Sequence, residues 1–249
     1  MKYKALILDL DGTTVPHGLN SHPSVRVKFA IKSAQESIKV SIATGRPLNI
    51  SKPIIRELGI TGLCSVHDST QFYDPTKDEI TDVVTLPKEK AEEVVKLLLK
   101  DNQSIRIGIK DDEIVHTGRR LPDEVCDIAV PDLPEEIVDS YIEKISKIAG
   151  VYVHKIPAWT TNLFWFVATS SVATKLHAVI KIAEIEKIKP SEIIGIGDSY
   201  NDYPLLSACG LKIAMGNAVP ELKAIADFIA PSVDEDGVAV TIEKFILNQ

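Results

Sequence analysis

Cysteine is scarce in this chain, whose 249 residues include only Cys64, Cys126 and Cys209. The number is odd, the three residues are widely spaced, and none belongs to a Cys-x-x-Cys pair. This usage argues against a disulfide framework and against a zinc site. Because it is typical of proteins in a reducing compartment, we expect a cytoplasmic protein.

A surplus of basic residues is also lacking. Lysine and arginine number 28, and aspartate and glutamate number 35, which gives a formal net charge of −7. Proteins that bind nucleic acid or anionic lipid through surface charge concentrate basic residues at the contact. We therefore expect no nucleic-acid partner and no charge-driven contact with a membrane.

Hydrophobic runs that suit a membrane-spanning helix are missing as well. The first apolar run, residues 5–8, ends at Asp9 and is too short for the core of a signal peptide. The uncharged stretch 156–174 has 19 residues, but it contains Pro157, Asn162 and several serines and threonines. A helix inside a bilayer tolerates such residues poorly. The sequence thus favours a soluble protein.

The overall composition is that of a globular protein, with 45% hydrophobic and 25% charged residues. Short apolar runs alternate with segments of helical periodicity, which predicts a parallel α/β sheet and a Rossmann-like core. The predicted strands of this core are residues 5–8, 40–43, 193–196, 211–214 and 228–230. Ser51 is expected to cap a helix that has Pro53 in its first turn and ends at Gly59.

The middle of the chain has a different pattern. A helix at residues 89–100 precedes a hairpin at 105–117, and a helix at 134–150 precedes a hairpin at 151–169. Hairpins form antiparallel sheets, so this αββαββ segment predicts a separate α+β layer. We expect a core made of residues 1–81 and 172–249, with this layer inserted at about residues 82–171.

Two carboxylates follow the first predicted strand directly, in the sequence Asp9-Leu10-Asp11-Gly12-Thr13-Thr14. They fall at the carboxyl edge of the sheet, where open α/β folds bind ligands. Acids this close repel each other unless a cation or proton intervenes, and hard oxygen ligands favour Mg²⁺. Asp-Gly is also ordinary turn chemistry, but D-x-D-G-T arises by chance on the order of once per 10⁵ positions. The functional interpretation is favoured.

A second acidic motif, Gly197-Asp198-Ser199-Tyr200-Asn201-Asp202, follows the predicted strand 193–196. It adds two acids at a strand end, with an amide beside them. Because Gly195-x-Gly197 also follows a strand, a dinucleotide-binding fingerprint competes with this interpretation. That fingerprint needs a third glycine where this chain has Tyr200, so we give it little weight.

Two more positions fit an anion site. Thr44-Gly45-Arg46 follows the strand 40–43, so its hydroxyl and backbone amides can face a phosphate at the same edge. Lys175 begins a predicted helix. Alone, each signal is weak, because Thr-Gly turns are common and most lysines are solvated surface charges.

Together, these four motifs resemble the haloacid dehalogenase superfamily of phosphohydrolases, and specifically its Cof-type branch, over nearly the whole chain. The segments 214–218 and 234–239 are also typical of that branch. The resemblance implies that the inserted segment, residues 82–171, is an open-faced cap domain. It also implies Mg²⁺-dependent hydrolysis of a small phosphomonoester, such as a sugar phosphate or phosphoglycolate. His67-Asp68-Ser69 stands where the branch usually has Asn-Gly. A phosphomutase or phosphotransferase, and a non-catalytic ligand-binding relative, are the alternatives.

The resemblance also implies roles for individual residues. Asp9 would be the nucleophile that becomes an aspartyl phosphate, and Asp11 would act as general acid and then general base. The residues that would hold the phosphoryl oxygens are Thr44, Gly45, Lys175 and Asn201. The metal residues would be Asp9, Asp11 through its backbone carbonyl, Asp198, and Asp202 in support.

Overall fold

The computed structural model describes residues 2–101, 103–110, 112–159 and 162–247, which form two compact units. One unit consists of the chain before Asp82 together with the chain from Lys175 onwards, and the other is Asp82–Thr174.

The strands are β1 (Ala5–Leu8), β2 (Lys39–Ile42), β3 (Cys64–Val66), β4 (Gln71–Asp74), β5 (Glu79–Val83), β6 (Arg106–Gly108), β7 (Glu113–Val115), β8 (Asp127–Leu133), β9 (Val151–Pro157), β10 (Phe164–Ser170), β11 (Ile193–Gly197), β12 (Leu211–Ala214) and β13 (Phe228–Ile229). The helices are α1 (Val25–Ala34), α2 (Leu48–Glu57), α3 (Lys88–Leu98), α4 (Glu135–Ile145), α5 (Lys175–Ile185), α6 (Tyr203–Ala208), α7 (Pro220–Ile225) and α8 (Gly237–Ile242).

The first unit contains a parallel sheet in the order β13-β12-β11-β1-β2. All four side chains of β1 are fully buried, as expected for a strand covered on both faces. From β1 the chain continues to β2 on one side, whereas β11 pairs on the other side and leads outward to β12 and β13. The strand order therefore reverses between β1 and β11, and such a point leaves a crevice at the carboxyl ends of the strands.

Beside this sheet lies a small antiparallel sheet in the order β3-β4-β5, a feature that the sequence pattern did not indicate. A parallel bridge between Ala43 and Ser65 places the end of β2 next to β3. The predicted start of α2 was also wrong. Ser51 lies inside the helix rather than at its N-cap, and its hydroxyl donates to the Pro47 carbonyl at 3.0 Å.

The second unit is an antiparallel sheet in the order β7-β6-β8-β10-β9 with α3 and α4, built around its own apolar cluster. The central strand β8 is missing from the predicted αββαββ pattern, and it joins the two predicted hairpins into one sheet. Its sequence contains Pro131 and Asp132, which are unusual in an inner strand. The backbone of Asp132 is left-handed, with φ +54°, and the register of β10 against β8 shifts between Phe164 and Phe166. This irregularity accommodates both residues.

The structure thus confirms an α/β fold with a parallel central sheet and additional antiparallel sheets. Among the described residues, no helix has the length and apolar character needed to cross a bilayer. The uncharged stretch that begins at Ile156 includes the strand β10 rather than a long helix.

Candidate active site

Two acids meet at the point where the strand order reverses. Asp9 follows β1 and donates its backbone N–H to the Ile196 carbonyl at 3.0 Å, while Asp198 follows β11. The register pairs Leu8 with Ile196, so both strands end at the same level. Both carboxylates are buried, with 6% of Asp9 and 4% of Asp198 exposed.

Lys175, the first residue of α5, lies between two of the acids. Its Nζ donates to Asp9 Oδ1 at 2.6 Å and to Asp202 Oδ1 at 2.5 Å, and all three residues are buried. The other oxygen of Asp202 accepts the backbone N–H groups of Asp198 and Ser199, each at 3.0 Å. Burial disfavours the charged form of Lys175, but Asp202 and Asp9 outweigh that effect and raise its pKa.

The carboxylates of Asp9, Asp198 and Asp202 each place one oxygen within 4.8 Å of the others. Burial raises the pKa of Asp9 well above its usual range, although Lys175 opposes the shift. Burial also raises the pKa of Asp198, which His17 opposes with its Nε2 at 3.3 Å from Asp198 Oδ2. Carboxylates crowded in this way fit a divalent cation, because hard oxygen ligands suit Mg²⁺ and its charge offsets theirs.

Asp11 is only two residues from Asp9, but its side chain has a different partner. Arg46 donates from Nε to Asp11 Oδ2 at 2.6 Å and from Nη2 to Asp11 Oδ1 at 2.5 Å. The Asp11 carboxylate does not belong to the cluster of three acids found among the described residues. The two leading acids therefore lie beside different cations, Lys175 for Asp9 and Arg46 for Asp11.

Gly12 and Thr13 explain why the first motif continues beyond its acids. The Thr13 hydroxyl donates to Asp198 Oδ1 at 2.9 Å and so joins the two strand ends. Gly12 has φ +75°, and a Cβ there would lie 2.3 Å from Asp198 Oδ2 and 2.4 Å from His17 Nε2. Any larger residue would push the acid and the histidine out of place.

The predicted phosphate ligands lie around this edge. Thr44 is buried, and its Oγ1 accepts the Arg46 N–H at 3.1 Å. Gly45 lies against Asp68, because a Cβ on the glycine would be 2.9 Å from Asp68 Oδ1. Asn201 is partly exposed in a short 3₁₀ turn, Tyr200–Asp202, immediately before the buried Asp202.

Sequence reasoning missed three features of this region. His17 was not singled out, and Arg46 was quoted only as part of a motif. Each gains its importance from a partner distant in sequence, Asp198 for His17 and Asp11 for Arg46. The third feature is the backbone of His67-Asp68-Ser69, a run noted above only as a departure from Asn-Gly, whose φ values of +53°, +52° and +63° are all left-handed. Consecutive non-glycine residues with a left-handed backbone are strained, and such strain is common near functional sites.

The chain matches a known protein family. The family model of haloacid dehalogenase-like hydrolases matches residues 6–242, nearly the whole chain. The chain belongs to this hydrolase family. The resemblance predicted from the four motifs is confirmed, and the protein is an enzyme of the haloacid dehalogenase type.

Individual relatives align over nearly the whole length of this chain and of their own chains. A phosphoglycolate phosphatase of Methanopyrus kandleri is 27% identical over 97% of this chain and 96% of its own. The structure of BT1666, a phosphatase from Bacteroides thetaiotaomicron, matches with a TM-score of 0.81 at 22% identity, covering 98% of this chain and 95% of its own. The sugar phosphatase BT4131, of subclass IIB, matches with a TM-score of 0.78 at 22% identity over 97% and 98% of the two chains. The two structural matches show a shared fold.

Replacing Lys175 tests how far the buried acids depend on it. In metal-free protein, we expect Lys175→Met to lower the free energy of unfolding by about 3–5 kcal/mol near neutral pH, because it leaves buried carboxylates unpaired. The loss should shrink as the pH falls toward about 4, since burial raises the pKa of Asp9 and protonation removes its charge. Urea unfolding at a series of pH values measures both effects.

Lys28→Met is the matched control, because Lys28 forms an ion pair with Glu57 at 2.9 Å on the surface of the same unit. Such pairs contribute roughly 0–1 kcal/mol, so this variant should remain near wild type. Equal losses in the two variants would contradict the role assigned to Lys175.

Proposed function

We propose that the protein is a Mg²⁺-dependent phosphatase that hydrolyses a small phosphomonoester, of the sugar phosphate or phosphoglycolate type, through an aspartyl-phosphate intermediate. The observation that carries this proposal is the contact of 2.6 Å between Lys175 and a buried Asp9, beside two further acids. A carboxylate can attack an anionic phosphoryl group only where positive charge offsets their repulsion. The names of the relatives support the substrate class.

In the first step, a carboxylate oxygen of Asp9 attacks phosphorus as the bond to the leaving oxygen breaks. Lys175 stays beside the nucleophile and offsets the repulsion between carboxylate and phosphoryl group. The phosphoryl oxygens are held by Thr44, Gly45, Lys175 and Asn201. Asp11 supplies the proton that the leaving alcohol needs.

In the second step, the ionised Asp11 takes a proton from a water molecule, and that water attacks the phosphorus of the aspartyl phosphate. The bond between phosphorus and the Asp9 oxygen breaks, which releases orthophosphate and restores both acids. Release of orthophosphate, rather than transfer to a second metabolite, distinguishes the hydrolase from a phosphomutase.

Magnesium would be held by Asp9, Asp198 and the backbone carbonyl of Asp11. When bound, it would supply the positive charge that a phosphoryl group requires in this acidic setting. Asp202 has a supporting part, because one of its oxygens contacts Lys175 and the other accepts two backbone N–H groups. It thus orients the lysine and the turn that carries Asp198.

We further propose that the inserted segment, residues 82–171, acts as a cap that selects the substrate. It has an apolar cluster of its own. Because successive side chains along a strand point to opposite faces, the two faces of its sheet carry different residues. One row across four strands is Ile107, Ile128, Ala168 and Val153, which belongs to or packs against that cluster. The adjacent row on the opposite face is Arg106, Ala129, Val167 and His154. We assign substrate selection to the polar side chains of this second row, Arg106 and His154, whereas Ala129 and Val167 between them are buried apolar residues.

The metal requirement is the first test. Exhaustive chelation should abolish hydrolysis of 4-nitrophenyl phosphate, and Mg²⁺ should restore it. Ca²⁺ should substitute poorly, because its larger and looser coordination shell would misplace the reacting groups. Chelator saturated with Mg²⁺ beforehand is the control. Undiminished turnover after chelation would refute the metal assignment.

The covalent intermediate is the second test. Asp9→Asn should form no phosphoenzyme, whereas Asp11→Asn should lose about 10²- to 10⁴-fold in each proton-transfer step. With 4-nitrophenyl phosphate, whose leaving group needs no proton, Asp11→Asn should therefore accumulate phosphate on Asp9. Acid quenching and peptide mass spectrometry measure it. Phosphate on a serine, threonine or histidine would show that another residue is the nucleophile.

The cap proposal predicts a change in selectivity without loss of chemistry. Arg106→Ala, on the second face of the sheet, should alter the order of kcat/KM across a panel of phosphorylated metabolites while 4-nitrophenyl phosphate is still hydrolysed. Lys147→Ala provides a control, since this exposed residue pairs with Glu143 on the neighbouring turn of its own segment, 3.6 Å away. An unchanged order in Arg106→Ala would argue that selection lies elsewhere.

A further inference from the structure

Arg46 makes more polar contacts than a residue that only follows a phosphate-binding turn would need. Besides the two bonds to Asp11, its Nη2 donates to the Gly18 carbonyl at 2.8 Å and its Nη1 to the Leu19 carbonyl at 3.3 Å. Only 3% of its side chain is exposed. The guanidinium therefore joins the acid of the first motif to the backbone that follows that motif.

The backbone of Arg46 is fixed on both sides as well. Its N–H donates to Thr44 Oγ1 at 3.1 Å, and its carbonyl accepts the His67 N–H at 2.8 Å. His67 begins the run of three left-handed residues, so the strained segment helps to hold the arginine. A planar guanidinium anchored in this way presents its fork in one orientation.

The contact leaves part of the Asp11 carboxylate accessible. A carboxylate has about four lone-pair sites, and the two hydrogen bonds from Arg46 use one on each oxygen. The Asp11 side chain remains 22% exposed, in contrast to the buried Asp9. One orientation is thus imposed on a carboxylate that still has a free edge.

We infer that Arg46 is a positioning residue for the reaction, which holds the Asp11 carboxylate in the orientation that delivers a proton to the leaving oxygen. The inference rests on the proposed phosphatase function. It assigns Arg46 no direct contact with the substrate, so its effect must pass through Asp11. Lysine at this position would retain the charge but lose the two-pronged geometry.

Two aryl phosphates of similar size provide the test, because phenolate needs a proton on leaving far more than 4-nitrophenolate does. The ratio kcat/KM reports steps up to formation of the phosphoenzyme. Arg46→Lys should lower it by roughly 10- to 10²-fold for phenyl phosphate, in line with the cost of misplacing a reacting group. For 4-nitrophenyl phosphate the fall should be less than about 3-fold.

A double-mutant cycle then shows whether the effect of Arg46 on kcat/KM passes through Asp11. In the Asp11→Asn background, adding Arg46→Lys should cause no further loss of kcat/KM on phenyl phosphate. Equal losses on the two substrates, or multiplicative losses in the double variant, would overturn the inference. Absence of Mg²⁺-dependent turnover in the wild type would instead refute the proposed function, and the inference with it.

Matched variants distinguish a loss of Asp11 positioning from a loss of folding. Arg26 donates to Glu243 from Nε at 3.1 Å and from Nη2 at 2.7 Å, the same two-pronged pattern on the surface of the same unit. Arg26→Lys should keep wild-type kinetics on both substrates. Arg46→Gln, made alongside and checked by circular dichroism, should show the same dependence on leaving group as Arg46→Lys. If both folded Arg46 variants lacked this dependence, the inference would be wrong.

Discussion

The ammonium group of Lys175 between Asp9 and Asp202 is the contact on which the rest of the site depends. Three carboxylates converge at one buried edge of the sheet, and burial of that much like charge is unfavourable unless it is compensated. Asp202 in turn fixes the backbone of Asp198, so one lysine holds acids from two strand ends together. The same charge balance makes the edge suitable for a metal and a phosphate.

A second ion pair separates the two acids of the first motif. Asp9 is buried beside Lys175, whereas Asp11 is partly exposed beside Arg46. Neighbouring carboxylates take different chemical roles when their surroundings differ. The proposed mechanism requires such a difference between its nucleophile and its proton carrier. Gly12, directly after Asp11, has a left-handed backbone and leaves room for Asp198 and His17. Asp9 and Asp11, only two positions apart along the chain, therefore have distinct environments.

The parallel core and the motif positions could be predicted because each depends on local sequence. β1 and β12 have the bounds expected from their apolar runs, and Asp9 follows β1 as predicted. β8 could not be predicted, because Pro131 and Asp132 interrupt its pattern and its place is set by pairing with β6 and β10. Ser51 failed as a cap because α2 begins earlier, at Leu48. Both failures arise where long-range packing or backbone geometry overrides local preference.

By itself, the sequence determined the family, the alternation of strands and helices, and the acids that end two strands. These follow from apolar periodicity and from motifs whose residues are close along the chain. Only the tertiary structure decided which cation each acid meets. Lys175 lies 166 positions from Asp9, and Arg46 lies 35 from Asp11. The physical reason is that a charge pair forms between side chains that the sheet and helices bring within about 3 Å, whatever their separation in sequence.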